Sequence, residues 1–185
     1  MISDILEYKV CSDAEISNLI GIFSSNFQSS SHWSIEQVDI KQIIPLCKHV
    51  YRERLEYAEH SITKCLDNDI PLFFPYVAKY KNGKQHLIVP PIVEERNHLL
   101  YLGDGMHRIY KMLEFQIPTA YVLMTHNCTL PFPGNPQSWN NVKEAEVQLP
   151  ASLNFENFLR EGLTGYSKFC NSEFFWNDER ANDEL

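Results

Sequence analysis

Leu102-Gly103-Asp104-Gly105-Met106-His107-Arg108 joins one apolar run to another. Upstream, Leu99, Leu100, Tyr101 and Leu102 read as a strand. Downstream, Ile109, Met112 and Leu113 recur at helical spacing. Gly103 and Gly105 mark a turn between the two. A glycine-bearing turn that opens a helix presents free backbone N–H groups and the positive end of the helix dipole, which suits an anion. His107 and Arg108 on the first helical turn add charge-assisted hydrogen bonds. The stretch is therefore read as strand, turn and helix, with a phosphate site at the turn.

On the N-terminal side, Ser12 and Glu15 form a capping box for a helix carrying Ile16, Leu19, Ile20 and Phe23. The polar run Ser24 to Ser31 is a loop, and Ile35 to Ile40 alternates as a short strand with Val38 and Ile40 on one face. From Cys47 to Leu66, the residues Tyr51, Leu55, Ala58, Ile62 and Cys65 are spaced by four and three, which predicts the longest amphipathic helix. Phe73 to Lys79 and Leu87 to Val93 read as strands separated by the Lys81-Asn82-Gly83-Lys84 turn. Pro90-Pro91 belongs at an edge or bulge, since proline cannot donate to a ladder. Glu95-Arg96-Asn97-His98 reads as a turn, with Glu94, Glu95 and His98 exposed around it. Thr119 to Met124 is expected to be a buried strand.

The remainder differs in texture. Pro131, Pro133, Gly134 and Pro136 mark a loop ending near Trp139, an aromatic expected, with Tyr166, to plug a core edge. Asn154 is expected to cap a short helix with Phe155, Phe158 and Leu159, stopped by Gly162. Phe169, Phe174, Phe175 and Trp176 are expected to pack back on the core, and Asn177–Leu185 to fray. The division is a helical extension over 1–34, a core over 35–130 and an aromatic extension over 131–185, in one domain. The fold class is α/β (α+β): a small mixed β-sheet with flanking helices.

Composition narrows the function classes. With 185 residues, 44% hydrophobic and 22% charged, the chain is an ordinary globular protein with room for one core. A formal charge of -8 argues against a nucleic-acid binder but leaves room for a locally positive anion site. Cys11, Cys47, Cys65, Cys128 and Cys170 are odd in number and contain no CxxC pair, so neither a zinc site nor a disulfide framework is indicated. No signal peptide or membrane span is read, and a cytoplasmic setting is expected.

Residues 35–126 resemble the ParB/sulfiredoxin-like superfamily. The resemblance is carried, in order, by Val38-Asp39-Ile40, by Glu59-His60-Ser61-Ile62 near the end of the long helix, and by Val89-Pro90-Pro91-Ile92-Val93. Gly103-Asp104-Gly105-Met106-His107-Arg108 and Ile117-Pro118-Thr119-Ala120 complete it. It covers about half the chain, and its parts are short; the ordered set is more specific than any one of them. Family members hold nucleotide phosphates at this turn: partition proteins bind CTP, sulfiredoxins use ATP, and free serine kinases phosphorylate a small hydroxy amino acid. The D-G-x-H-R form is similar to the kinase branch. Met106 stands where sulfiredoxins carry a reactive cysteine, and a thioether cannot act as a thiolate does. The segment after the core is short and acidic, unlike the DNA-binding domain of partition proteins.

The resemblance implies a nucleotide-dependent kinase that moves phosphoryl from ATP or ADP to a hydroxylated metabolite such as an amino acid, assisted by Mg²⁺. Gly103, Gly105, Met106, His107, Arg108 and Arg54 would bind the nucleotide. Asp104 would hold Mg²⁺ or orient the acceptor hydroxyl, while His107 and Arg108 neutralise the transferred group. Where serine kinases carry a catalytic glutamate before the long helix, this sequence has Lys48 and His49. Glu53 is therefore the preferred general base, with His49 as its substitute. The alternative is a module that uses CTP or ATP as a switch and acts through a protein partner.

Overall fold

The computed structural model describes residues 5–26, 32–81, 83, 85–127, 132 and 134–156. In chain order these form β1 (Ile5–Val10), α1 (Asp13–Asn26), β2 (His32–Asp39), β3 (Ile43–Ile44), β4 (His49–Tyr51) and α2 (Arg52–Asp67). Then come β5 (Tyr76–Tyr80), β6 (Gln85–Ile88), β7 (Ile92–Arg96), β8 (Leu99–Asp104), α3 (Met106–Glu114), β9 (Thr119–His126), β10 (Lys143–Ala145) and α4 (Ala151–Asn154). The mixed α/β class is as expected. Among the described residues no helix is long and apolar enough to cross a membrane.

A five-stranded mixed sheet runs in the order β2-β9-β7-β8-β3. One face carries Ile40, Val93, Val122 and Met124 against Leu55 and Ile62 of α2 and Ile109 and Met112 of α3. The other face packs Trp33, Ile92 and Leu123 against Leu19 of α1. The capping box forms as expected: the Ser12 backbone N–H donates to Glu15 at 2.7 Å. A second sheet, β1-β5-β6, is antiparallel and packs Tyr76 and Ala78 with Cys65 of α2. Its strand β1 lies inside the stretch expected to be a helical extension. Leu6, Tyr8 and Val10 alternate there with Glu7 and Lys9, the period-2 signal of a strand.

Several expected elements have different bounds: the strand expected from Phe73 begins at Tyr76, α1 runs on to Asn26, and others shift for a plain physical reason. The run Leu87 to Val93 is two strands in two sheets, because Pro90 and Pro91 have no N–H for a ladder. The long helix begins at Arg52, not near Cys47, because His49–Tyr51 is drawn into parallel pairing with Lys143–Ala145. The strand expected over Ile35 to Ile40 begins at His32, pairs with β9 along its whole length, and ends when Asp39 caps a short 3₁₀ turn. The turn before β8 narrows to Asn97 and His98, whose φ values of 51° and 62° are those of a two-residue type I′ hairpin. Asn154 is the last residue of α4, and the helix expected after it falls largely outside the described residues. Phe158, Leu159, Gly162, Tyr166, the aromatic run Phe169–Trp176 and the acidic end lie outside the described residues.

Glu94 is the clearest departure from expectation. Expected at an exposed turn, it is fully buried at the middle of β7, between β8 and β9. The Arg96 side chain pairs with it, and the Arg96 guanidinium lies over the Phe132 ring at 3.9 Å.

His126 at the end of β9 is held between two carboxylates. Its Nδ1 meets Glu95 Oε2 at 2.7 Å and its Nε2 meets Glu36 Oε1 at 3.0 Å. Ser34 Oγ donates to the same Glu36 oxygen, the His32 ring lies 5.4 Å away, and His98 approaches Glu95 at 3.6 Å. Burial alone would lower the His126 pKa, but the hydrogen bonds to Glu95 and Glu36 outweigh it and raise the value. A group whose folded pKa is raised stabilises fully below its unfolded pKa and loses that contribution as pH rises through the folded value. The urea midpoint is therefore expected to fall between pH 6 and pH 9, and His126→Gln to flatten the fall. A variant with the wild-type slope would remove the clamp from the account of stability.

Candidate functional site

A cavity of about 400 Å³ opens where α2, the start of α3 and the end of β6 converge. Arg54, Tyr57, Ala58 and Ser61, at helical spacing, form the α2 wall. Residues Gly103–Arg108, from the end of β8 to the first turn of α3, form the floor, and Leu87, Ile88 and Val89 form an apolar side. The volume falls within the range of small-molecule sites.

The turn owes its shape to Gly105. This residue has φ +93° and caps α3 with no side chain to offer. A Cβ at this position would stand 2.7 Å from Pro91 Cβ and 3.2 Å from Arg108 Nη2. The first helical bond runs from the Ile109 N–H to the Gly105 carbonyl at 3.1 Å. The N–H groups of Met106, His107 and Arg108 precede it and point out of the helix end. Positive electrostatic potential is therefore built into the backbone here.

Two arginines add to it. Arg108 is anchored: its Nη1 donates to the Val89 carbonyl at 2.6 Å, its Nη2 lies 3.5 Å from Asp104 Oδ2, and its Cζ sits 5.3 Å from the Phe73 ring centroid. Phe73 itself has φ +60°, a left-handed conformation rare for a bulky residue. Such strain collects at ligand sites. Arg54 reaches the same cavity from α2. Against these two cations stands Asp104, the single carboxylate among the described lining residues.

His107 does not supply the charge expected of it. Burial first, then the cations Arg54 and Arg108, push its pKa down to about 4. At neutral pH it is an uncharged imidazole, its ring 5.4 Å from that of Tyr51, and its buried Nε2 has no hydrogen-bond partner among the described residues. It therefore brings no positive charge to the cavity.

The structure brings together Gly103, Asp104, Gly105, Met106, His107, Arg108 and Arg54 in one cavity. Gly103 belongs to β8 rather than to the turn, and Met106 is nearly buried as the first residue of α3. Glu53 is not brought in: it lies exposed on α2 and does not line the cavity. The spacing explains why, since Arg54, Tyr57, Ala58 and Ser61 share the inner face and Glu53 falls off it. His49 also lies outside; its backbone N–H is taken by Asn154 Oδ1 at 2.9 Å. Sequence reasoning missed Cys47, Phe73, Gln148 and Phe155 as lining residues. Comparison with protein-family models, with curated proteins and with solved structures finds no match.

Proposed function

We propose that this cavity binds a nucleoside phosphate, ATP or ADP, and that the chain transfers its terminal phosphoryl group to the hydroxyl of a small metabolite such as an amino acid. The observation that carries this reading is the uncapped start of α3, with Arg54 and Arg108 beside it, in a cavity that also admits a carboxylate. The motif order that resembles ParB/sulfiredoxin-like nucleotide binders supports the same reading. The free thiols Cys11, Cys47 and Cys65 suit a cytoplasmic enzyme.

Phosphoryl transfer needs positioning and charge compensation more than covalent help. The α3 N–H groups and the two guanidinium groups hold the phosphate oxygens. The acceptor oxygen attacks the terminal phosphorus, the bond to the bridging oxygen breaks, and the hydroxyl proton passes to Asp104. With Glu53 outside the cavity, Asp104 replaces it as the proton acceptor. Mg²⁺ commonly takes one or two protein carboxylates and completes its shell with phosphates and water, so a donor set with one carboxylate fits it. Asp104 would hold the ion, which supplies charge neutralisation to the phosphates.

A second reading, a CTP or ATP switch without transfer, is favoured by the Arg108–Asp104 approach, which engages that same carboxylate. Calorimetric titration with ATP, ADP and CTP, each with Mg²⁺, followed by turnover assays with hydroxylated acceptors, separates the two. Arg108→Ala is expected to weaken nucleotide binding by ~2 kcal/mol, roughly thirtyfold, for a lost charged hydrogen-bond donor. Asp104→Asn is expected to lower turnover by about 10² or more, and to weaken Mg²⁺-nucleotide binding by less than that. Wild-type binding by Arg108→Ala would remove the phosphate assignment. Binding without any turnover would favour the switch.

A further inference from the structure

The segment after β9 returns to the core and supplies the remaining wall of the cavity. Its β10 pairs in parallel with β4, from Lys143↔His49 to Ala145↔Tyr51, extending the chain just ahead of α2. Glu146 meets Arg52 at 2.7 Å, an exposed pair that guides more than it stabilises. Leu149 hydrogen-bonds the Tyr51 hydroxyl through its backbone, and the Tyr51 ring lies beside His107. Gln148 and Phe155 then line the cavity.

The far end of this strap is latched. Asn154, 9% exposed, accepts twice from β4 and its approach: its carbonyl from the Lys48 N–H at 2.7 Å and its Oδ1 from the His49 N–H at 2.9 Å. Beyond it, the Asn135 N–H donates to the Glu156 carbonyl at 2.8 Å, and Gln137 Nε2 donates to the Glu156 side chain at 2.8 Å. Gly134 packs so closely that a Cβ there would meet the Glu156 carbonyl oxygen at 2.6 Å. Phe155 is thus fixed on both sides, and it lines the same cavity as Cys47, the residue that precedes the latched Lys48. Cys47 also lines the cavity, close enough to Asp104 for that charge to bear on its thiol.

From this geometry we infer that residues 143–156 form a strap that completes the acceptor side of the cavity, with Phe155 limiting acceptor size and Asn154 acting as the positioning residue that holds it. The acceptor role rests on the proposed function; the strap itself rests on the hydrogen bonds and on the packing. An aromatic ring held at both flanks resists displacement, so it excludes bulk rather than yielding to it. Asn154 never touches the ligand. It acts through the two N–H groups that it receives.

The test uses the full chain and needs no ligand at first. Iodoacetamide modification of Cys47, followed by peptide mass spectrometry, is compared between wild type, Asn154→Ala, Asn154→Asp and Phe155→Ala. Asn154→Ala is expected to raise the Cys47 rate about tenfold through local opening, and Asn154→Asp, which keeps the accepting oxygen, to restore it. Phe155→Ala, which leaves the Asn154 hydrogen bonds in place, is expected to raise the rate as well. A wild-type Cys47 rate in Phe155→Ala and in a folded Asn154→Ala overturns the strap. With nucleotide and acceptors present, Phe155→Ala is expected to admit bulkier acceptors and to raise KM with little change in kcat. If wild type binds no nucleotide while the Cys47 rates still respond, the phosphate reading fails and the strap stands.

Discussion

Gly105→Ala is expected to destabilise the protein by about 3 kcal/mol and to abolish the proposed phosphate binding. An L side chain in the left-handed region costs roughly 1–2 kcal/mol, and overpacking a filled site adds about 1–3. Both apply here. The residue has φ +93°, and the new methyl would stand 2.7 Å from Pro91 Cβ and 3.0 Å from Pro91 Cα. Pro91 cannot withdraw freely, because its carbonyl accepts from the Leu123 N–H at 2.8 Å in the centre of the large sheet. The strain would pass instead to the start of α3 and to Arg108, whose Nη2 is the third near neighbour. Gly83→Ala is the internal control. Gly83 has φ +81° with nothing within 4 Å of the new Cβ, so it should show the conformational cost alone, about 1 kcal/mol. Urea unfolding of both variants reads the difference. Equal losses would mean that the Pro91 approach does not constrain the turn.

Arg96→Met is expected to cost about 3 kcal/mol, the lower end of the penalty for removing one partner of a buried ion pair. The Glu94 side chain is wholly buried, while Arg96 keeps 17% of its own exposed and covers Phe132. Removing the guanidinium leaves the carboxylate without its cationic partner in a low-dielectric setting. The double variant Glu94→Leu/Arg96→Met is expected to regain most of the loss, since a buried pair replaced by apolar groups is often neutral. Unfolding midpoints of the two singles and the double give the coupling directly. A single variant within about 0.5 kcal/mol of wild type would show that the pair carries no weight. The effect should reach the site. β7 is paired with β8 through Ile92↔Asp104, so loosening it moves the carboxylate and the glycine that follows.

Much of the candidate site was legible because its signals are local. Two glycines, an apolar strand before them and Ile109 and Met112 after them place the turn, the helix and its free N–H groups within about ten residues. The helical spacing of Tyr51, Leu55, Ala58 and Ile62 marks α2, and Ser12 with Glu15 marks the start of α1. Each of these features depends on backbone geometry that neighbouring residues determine.

Other features needed partners far along the chain. Nothing near Glu94 announces that β8 and β9 will flank it on both sides. Helical phase could have excluded Glu53, which falls off the face shared by Arg54, Tyr57 and Ala58. The neutrality of His107 comes from burial and from Arg54 on another element, so no local pattern shows it. Phe155 and Gln148 reach the cavity because β10 pairs with β4, which joins Lys143 to His49. The sequence by itself determined the three main helices, the strand before the glycine turn and the anion-ready turn, because hydrogen-bonding capacity and apolar period are written residue by residue. Which carboxylate is buried, which imidazole stays neutral and which aromatic closes the cavity were decided only by the tertiary structure. Desolvation and charge act through space, between groups that the chain brings together only when it is folded.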